Sequence, residues 1–334
     1  MSKRDAVSAG KWMNKCHDRS SEHPTWDAST PEAQLFTSNA THALNPESVV
    51  GPYFVAGEYI RSDLTEGQVG VPVHLDLQFI DVNTCETVPN LLVDVWHANA
   101  TGVYSGVAGY GSGGLNTTWL RGVQVTDLDG VVEFDTIFPG HYSGRANHIH
   151  VLSRRGGQLL PNGTYTGGTV NHVGQVYFDQ EITTQVETKH PYTLNYLPLT
   201  TNAGDFLLPM AATPDYDPFL DYVMLSDDSN DGLLMWATIG IDGAADHNAQ
   251  AAPAATYRKG GGVAASFSFP PFPVPSNASR PAVPSGGSPK AVTTSVSSSS
   301  SAAARPPTPT ALRVSATRSA PKKSPQPWGP CRTW

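Results

Sequence analysis

From residue 73 to residue 241 the chain is a succession of short β-type runs closed off by turn residues, led by VHLDLQFIDV, where apolar and polar side chains alternate. Alternation of period two buries one face of a strand and wets the other. LLVDVW, VVEFDTI, QVYFDQEI and LLMWATIGI read as further strands, and DLDG, PNGT and NDG mark turns between them. No long stretch of this region carries the 3.6-residue period of a helix, so an all-β fold, a β-sandwich over residues 44–250, is expected. About 200 residues suffice to bury a sizeable core without disulfide staples. Both ends are expected to be disordered tails. Residues 1–43 are polar and weakly patterned, which predicts loose attachment, and residues 251–334 are rich in Pro, Ser and Ala.

Charge is divided as sharply as pattern. The tail from residue 251 holds ten Lys or Arg and no Asp or Glu, which leaves residues 1–250 with 11 basic against 29 acidic side chains, near −18. A surface of that sign argues against nucleic acid or an anionic membrane as partner. No segment reaches the ~20 apolar residues of a membrane helix.

The chemistry concentrates in PGHYSGRANHIHV, residues 139–151, which reads as a turn entering a strand. In HIHV, His148 and His150 share one face and Ile149 and Val151 the other. A half-exposed strand would alternate in the same way, but two neutral imidazoles on one face also make half of a site for iron, copper, zinc or nickel. The motif contains no Cys, Asp or Glu to complete a thiolate or carboxylate site, which weakens a zinc hydrolase reading. The nearest oxygen donors are Tyr142 and, in WHANATGVYSG, Tyr104. Taken singly, Tyr104 would be a core tyrosine, Tyr142 a loop tyrosine and Arg145 a surface ion-pair partner. His97, His141 and His172 adjoin these segments and are candidates for pocket lining or supporting hydrogen bonds. Gly109, Gly111 and Gly114 satisfy GxGxxG outside any strand-to-helix context, and DDSNDG lacks the calcium-loop Glu, so both read as loops.

Six segments resemble, in order, the intradiol ring-cleavage dioxygenases, in particular a fungal, secreted branch. They are GPYFVAGEYIRSD, DLQFIDVNTCETVPN, DVWHANATGVYSG, WLRGVQVTDLDG, FDTIFPGHYSGRANHIHV and GQVYFDQ. The resemblance implies Fe(III) as cofactor, held by Tyr104 and His148 in equatorial and Tyr142 and His150 in axial positions. It also implies a catechol-type substrate, cleaved with O2 between its hydroxylated carbons to a cis,cis-muconate-type diacid, and proton acceptance by Tyr142. Two phenolates suit a hard trivalent cation, whose binding displaces a proton of pKa ~10. Arg145 would stabilise negative charge on the activated ring, and Gln175 would lie near the iron. Asn147 stands where the family has Thr. The alternative is a secreted β-sandwich that binds iron or phenolics without turnover; retention of Arg145 beside all four ligands argues for catalysis.

Five sequons, at Asn39, Asn99, Asn116, Asn162 and Asn277, lead to the expectation of a secreted glycoprotein. The first 30 residues lack an apolar signal core, so that expectation includes a truncated or mispredicted start. Three cysteines cannot all pair within one chain. Relatives commonly have a Cys near residue 42 to pair with Cys85; His42 stands there, leaving Cys16 or Cys331 as substitutes. Oligomeric state is not legible.

Overall fold

The computed structural model describes residues 3–37, 43–109, 112–258 and 261–265. Among the described residues twelve strands follow one another: β1 (Val55–Ala56), β2 (Pro72–Asp81), β3 (Glu86–Thr87), β4 (Leu92–Trp96), β5 (Arg121–Val125), β6 (Val131–Ile137), β7 (His148–Leu159), β8 (Tyr165–Tyr177), β9 (Asp221–Met224), β10 (Leu233–Ile241), β11 (Ala255–Arg258) and β12 (Gly261–Ala264). The helices are short: α1 (Lys3–Met13), α2 (Glu32–Leu35), α3 (Gln180–Glu187) and α4 (Leu208–Ala211). Among the described residues no helix is long and apolar enough to cross a membrane.

Two sheets make the sandwich. In the first, β2 is central, parallel to β10 on one side and antiparallel to β6 on the other; β3 pairs with the end of β2 and β9 with β10. The second has the order β5-β4-β7-β8 and is antiparallel throughout. Alternation decides what faces inward. Val73, Leu75, Leu77 and Phe79 of β2, Val132 and Phe134 of β6, and Leu233, Met235 and Ile239 of β10 meet Val93, Val95, Ile149, Val151 and Val176 of the second sheet in one core. The alternate residues of β4, β7 and β8 therefore lie on the far face of the second sheet. That face is buried too: Trp96, Leu152 and Val173 pack beneath Val50, Phe54, Val55 and Ala255. Polar side chains on it are dry without being in the main core.

Three boundaries differ from the sequence expectation. QVYFDQEI is split: β8 stops at Tyr177, Asp179 takes the N-cap position and Gln180 opens α3. An Asp before a helix is a start signal, hidden here by continued alternation. Residues 255–258 and 261–264, placed by sequence in the tail, form a hairpin whose first strand pairs in parallel with β1. The rest of the expected tail, from residue 266, lies outside the described residues, as do Asn39, His42, Gly111, Asn277 and Cys331. Finally, the N-terminal segment is not loosely attached. Trp12 Nε1 donates to Thr213 O at 2.7 Å, Arg19 pairs with Asp221 at 2.8 Å, and Trp26 packs edge-on to Trp236, their centroids 5.4 Å apart. Leu35 joins Val223, Leu234 and Trp236 on the outer face of the first sheet. These contacts are scattered through a polar sequence and leave no periodic signal.

The anchor of that segment is His17, fully buried, with Nδ1 on Asp179 Oδ1 at 2.5 Å and Nε2 on Asp217 Oδ2 at 3.0 Å. Burial opposes its charge, but the hydrogen bonds and charges of the two carboxylates outweigh it and raise its pKa above 6.5. A raised folded-state pKa stabilises fully below the unfolded value and loses that contribution as pH rises through the folded one. Docking of residues 3–37 should therefore weaken as pH rises above 6.5, read as faster hydrogen exchange or proteolysis in that segment. The same pH-dependent loosening in His17→Gln would disprove this assignment.

Cys85 is disulfide-bonded, and Cys16 is a free, exposed thiol. DDSNDG forms the turn between β9 and β10, as its composition suggests.

Candidate active site

His148 and His150 sit on the far face of the second sheet, where alternation puts them. The register sets Trp96, His150 and Gln175 in one row across β4, β7 and β8, with His148 opposite Tyr177 in the next. The Trp96 indole stacks on the His150 ring at 4.7 Å and 6°, fixing its plane.

The two tyrosines arrive on loops that interlock. Residues 98–104 follow β4, shaped by Asn99, whose Oδ1 accepts from the backbone N–H groups of Thr101 and Val103, both at 3.0 Å. Residues 139–146 precede β7, and Gly140 N donates to Asn99 O at 3.1 Å. A Cβ on Gly140 would collide with the Ala100 and Asn99 carbonyls, and one on Gly102, whose φ is +79°, would collide with His141 O. Only glycine allows this approach. Gly140→Ala should therefore push the loops apart and reduce metal content more than it lowers Tm; unchanged metal content would show that the contact does not set the site.

The result is a cluster of four rings. Centroids lie 4.8 Å apart for His148 and His150, 5.5 Å for Tyr142 and His148, 5.5 Å for Tyr104 and Tyr142, and 6.3 Å for Tyr104 and His150. Tyr53, half-buried, stacks on Tyr104 at 4.2 Å and meets Tyr142 edge-on. His148 Nδ1 donates to Ala146 O at 2.6 Å, which leaves the Nε2 lone pair facing His150 Nε2 at 3.2 Å. One ion with nitrogen bonds of roughly 2.1 Å can span that separation. Tyr104 Oη and His150 Nδ1 are buried and have no hydrogen-bond partner within the protein. Leaving a buried hydroxyl unpaired costs about 1–3 kcal/mol.

Electrostatics favour the same conclusion. Burial, then Arg145, holds both imidazoles well below their usual pKa, so they stay neutral as metal ligands must. Burial raises Tyr104 well above 10 and pushes Tyr142 up to about 12, against the lowering effect of Arg145. Two neutral phenols in a dry site become phenolates only if a cation compensates them. The donor set of two phenol oxygens and two neutral imidazoles fits a ferric ion better than a softer metal.

Arg145 is buried beside the rings. Its Nε donates to Asp205 Oδ2 at 2.9 Å, Nη2 to Gln175 Oε1 at 2.5 Å and Tyr177 Oη at 3.0 Å, and Nη1 to Tyr142 Oη at 3.3 Å. Burial opposes its charge, but Tyr142, Tyr177 and Asp205 keep its pKa above the usual value. Gln175 thus spends its oxygen on Arg145, while its Nε2 reaches only Val49 O at 3.4 Å. Sequence reasoning missed Asp205 and Tyr177. Tyr177 could have been found as the next residue after Gln175 on its face of β8. Asp205, which also accepts from Ala146 N, Leu207 N and Leu208 N, comes from a loop with no periodic signal.

His97, His141 and His172 are structural. His97 donates Nδ1–H to Ala98 O and accepts from Thr136 at Nε2; burial lowers its pKa to about 4. His141 bonds Glu187 Oε1 and Leu197 O, both at 2.8 Å, and Asn147 Nδ2 bonds Pro139 O and the same Glu187 oxygen, so both tie the Tyr142 loop to α3. His172 is held by Glu47 and Asn45.

A family model described as Dioxygenase matches residues 49–156. Among solved structures, an intradiol ring-cleavage dioxygenase from Tetranychus urticae is 28% identical, covering 62% of this chain and 98% of its own, with a TM-score of 0.52. Catechol 1,2-dioxygenase from Acinetobacter sp. ADP1 is 18% identical over 72% of this chain and 74% of its own, with a TM-score of 0.39. No curated protein matches the chain. Over residues 49–156 the chain thus matches the Dioxygenase family model, and its fold is similar to that of the intradiol ring-cleavage dioxygenase from Tetranychus urticae.

Proposed function

We propose that the chain is a non-haem Fe(III) enzyme that uses O2 to open catechol-type rings to cis,cis-muconate-type diacids. The observation that carries this reading is the convergence of His148 Nε2 and His150 Nε2, 3.2 Å apart, with two buried phenols, one of which has no protein partner. Tyr104, Tyr142, His148 and His150 would hold the metal. When bound, ferric iron supplies the Lewis acidity that makes a chelated catechol reactive towards O2.

The protein's share follows from its own groups. With the metal bound, Tyr142 would be a phenolate, and its Oη, hydrogen-bonded by Arg145 at 3.3 Å, is the base positioned to take a catechol proton. Of the five N–H groups of Arg145, the bonds above use four; the fifth, on Nη1, points from the nitrogen that faces Tyr142 and can donate to negative charge developing on the ring. Gln175, Tyr177 and Asp205 orient that guanidinium rather than touch substrate. Tyr53, stacked on Tyr104, offers an aromatic wall to a planar ring. We place the activity outside the cell, on the support of the sequons at Asn116 and Asn162, both exposed; the Asn99 amide is instead engaged with Gln68 at 3.2 Å.

The test is the visible spectrum of the purified protein, before and after anaerobic catechol, followed by admission of O2. A tyrosinate-to-iron band that shifts with catechol and then yields muconate is expected. A colourless protein with full metal content would overturn the ferric reading, and a shifted band with no product from any catechol would overturn the turnover.

A further inference from the structure

The outer face of the first sheet carries a second group of potential ligands, on the opposite side of the sandwich core from the site above. His74 and Asp76 alternate with the core residues of β2, and across the β2–β6 ladder Asp76 stands directly opposite Glu133 and His74 opposite Asp135. Like charges directly opposite each other in a ladder are destabilising. Asp76 is 1% exposed, and its Oδ1 has no hydrogen-bond partner. It points at His74 Nε2, 3.4 Å away. The other ring nitrogen, Nδ1, lies 2.8 Å from Asp135 Oδ1. A carboxylate on Nδ1 leaves the Nε2 lone pair outward, the arrangement that orients a metal-ligating histidine. Ligand atoms of His74, Asp76 and Glu133 all lie within 4.8 Å of one another.

We propose that His74, Asp76 and Glu133 form a binding site for one divalent first-row cation, separate from the catalytic centre. The site offers one imidazole nitrogen and two carboxylates, a set suited to Mn2+ or Zn2+. A cation there pairs the buried Asp76 oxygen, separates two opposed carboxylates and keeps Asp135 as the orienting group. Its neighbourhood is acidic as well: Glu32 of α2 converges with Asp127 and Asp129, again within 4.8 Å. Because Glu32 belongs to the docked N-terminal segment, the cation also strengthens attachment of that segment to the sheet.

Mn2+ titration into the iron-loaded full-length chain, followed by electron paramagnetic resonance and thermal melting, tests this. Wild type is expected to take up one Mn2+ per chain with a rise in Tm. Asp76→Asn and His74→Gln are expected to weaken binding at least tenfold and abolish the rise, while keeping catechol turnover as evidence of folding. His150→Ala is expected to retain the Mn2+ site. Absence of Mn2+ binding by wild type, unchanged binding by both first-sheet variants, or loss of the site in His150→Ala would each overturn the proposal. In those cases a His74 imidazolium pairing with both Asp76 and Asp135 would account for the geometry.

Discussion

His150→Ala is expected to purify with little iron and no visible band while keeping the sandwich. In the proposed site His150 is one of four donors, on a face that Trp96 and Gly51 close over, with Gly51 close enough that a Cβ there would stand 3.5 Å from His150 Cε1. Losing even a group that merely supports a ligand costs about 10–100-fold in metal affinity, and losing a ligand costs at least as much. The core contribution of β7 comes from Ile149 and Val151, which the substitution leaves in place. Metal analysis beside near-ultraviolet circular dichroism separates the outcomes. Full iron content with intact colour would remove His150 from the ligand set; loss of tertiary signal would mean that the imidazole holds the fold rather than the metal.

Arg145→Ala should show the opposite profile: iron and colour retained, turnover reduced by roughly 10²–10³-fold, the size of effect seen when a preorganised donor to developing negative charge is removed. The structure adds a second consequence. Asp205, with a fully buried carboxylate, would lose its charged partner and keep only its backbone donors. Stranding one member of a buried pair costs about 3–5 kcal/mol, so a lower Tm is expected as well. Arg145→Lys distinguishes the two effects. A lysine restores charge near Asp205 but not the fork that reaches Gln175, Tyr177 and Tyr142 together, so it should recover much of the Tm and little of the rate. Full turnover in either variant would refute the assigned role, and loss of colour in both would make Arg145 a determinant of metal binding instead.

These expectations show how unevenly the site is written in the chain. Two histidines at i and i+2 in a β-type run must share a face, and the sequence alone says so. It also shows Tyr142 six residues before His148, and Tyr104 in a loop after another strand. It cannot show that the glycines at 102 and 140 let those loops touch, because that is a fact about two backbones meeting. Nor does it show Asp205, whose loop is brought to Arg145 only by the packed fold.

The same division holds for the whole molecule. Local pattern determined the strands, their inward faces and the shared face of His148 and His150, since strand periodicity fixes orientation residue by residue. Only tertiary structure decided that the histidine face is a second buried layer. It also docked a polar N-terminal segment through His17, and set Asp76 against Glu133 across a ladder. Burial and cross-strand register join residues dozens to hundreds apart in the chain. No local pattern encodes which of many acceptable partners a strand or loop will meet.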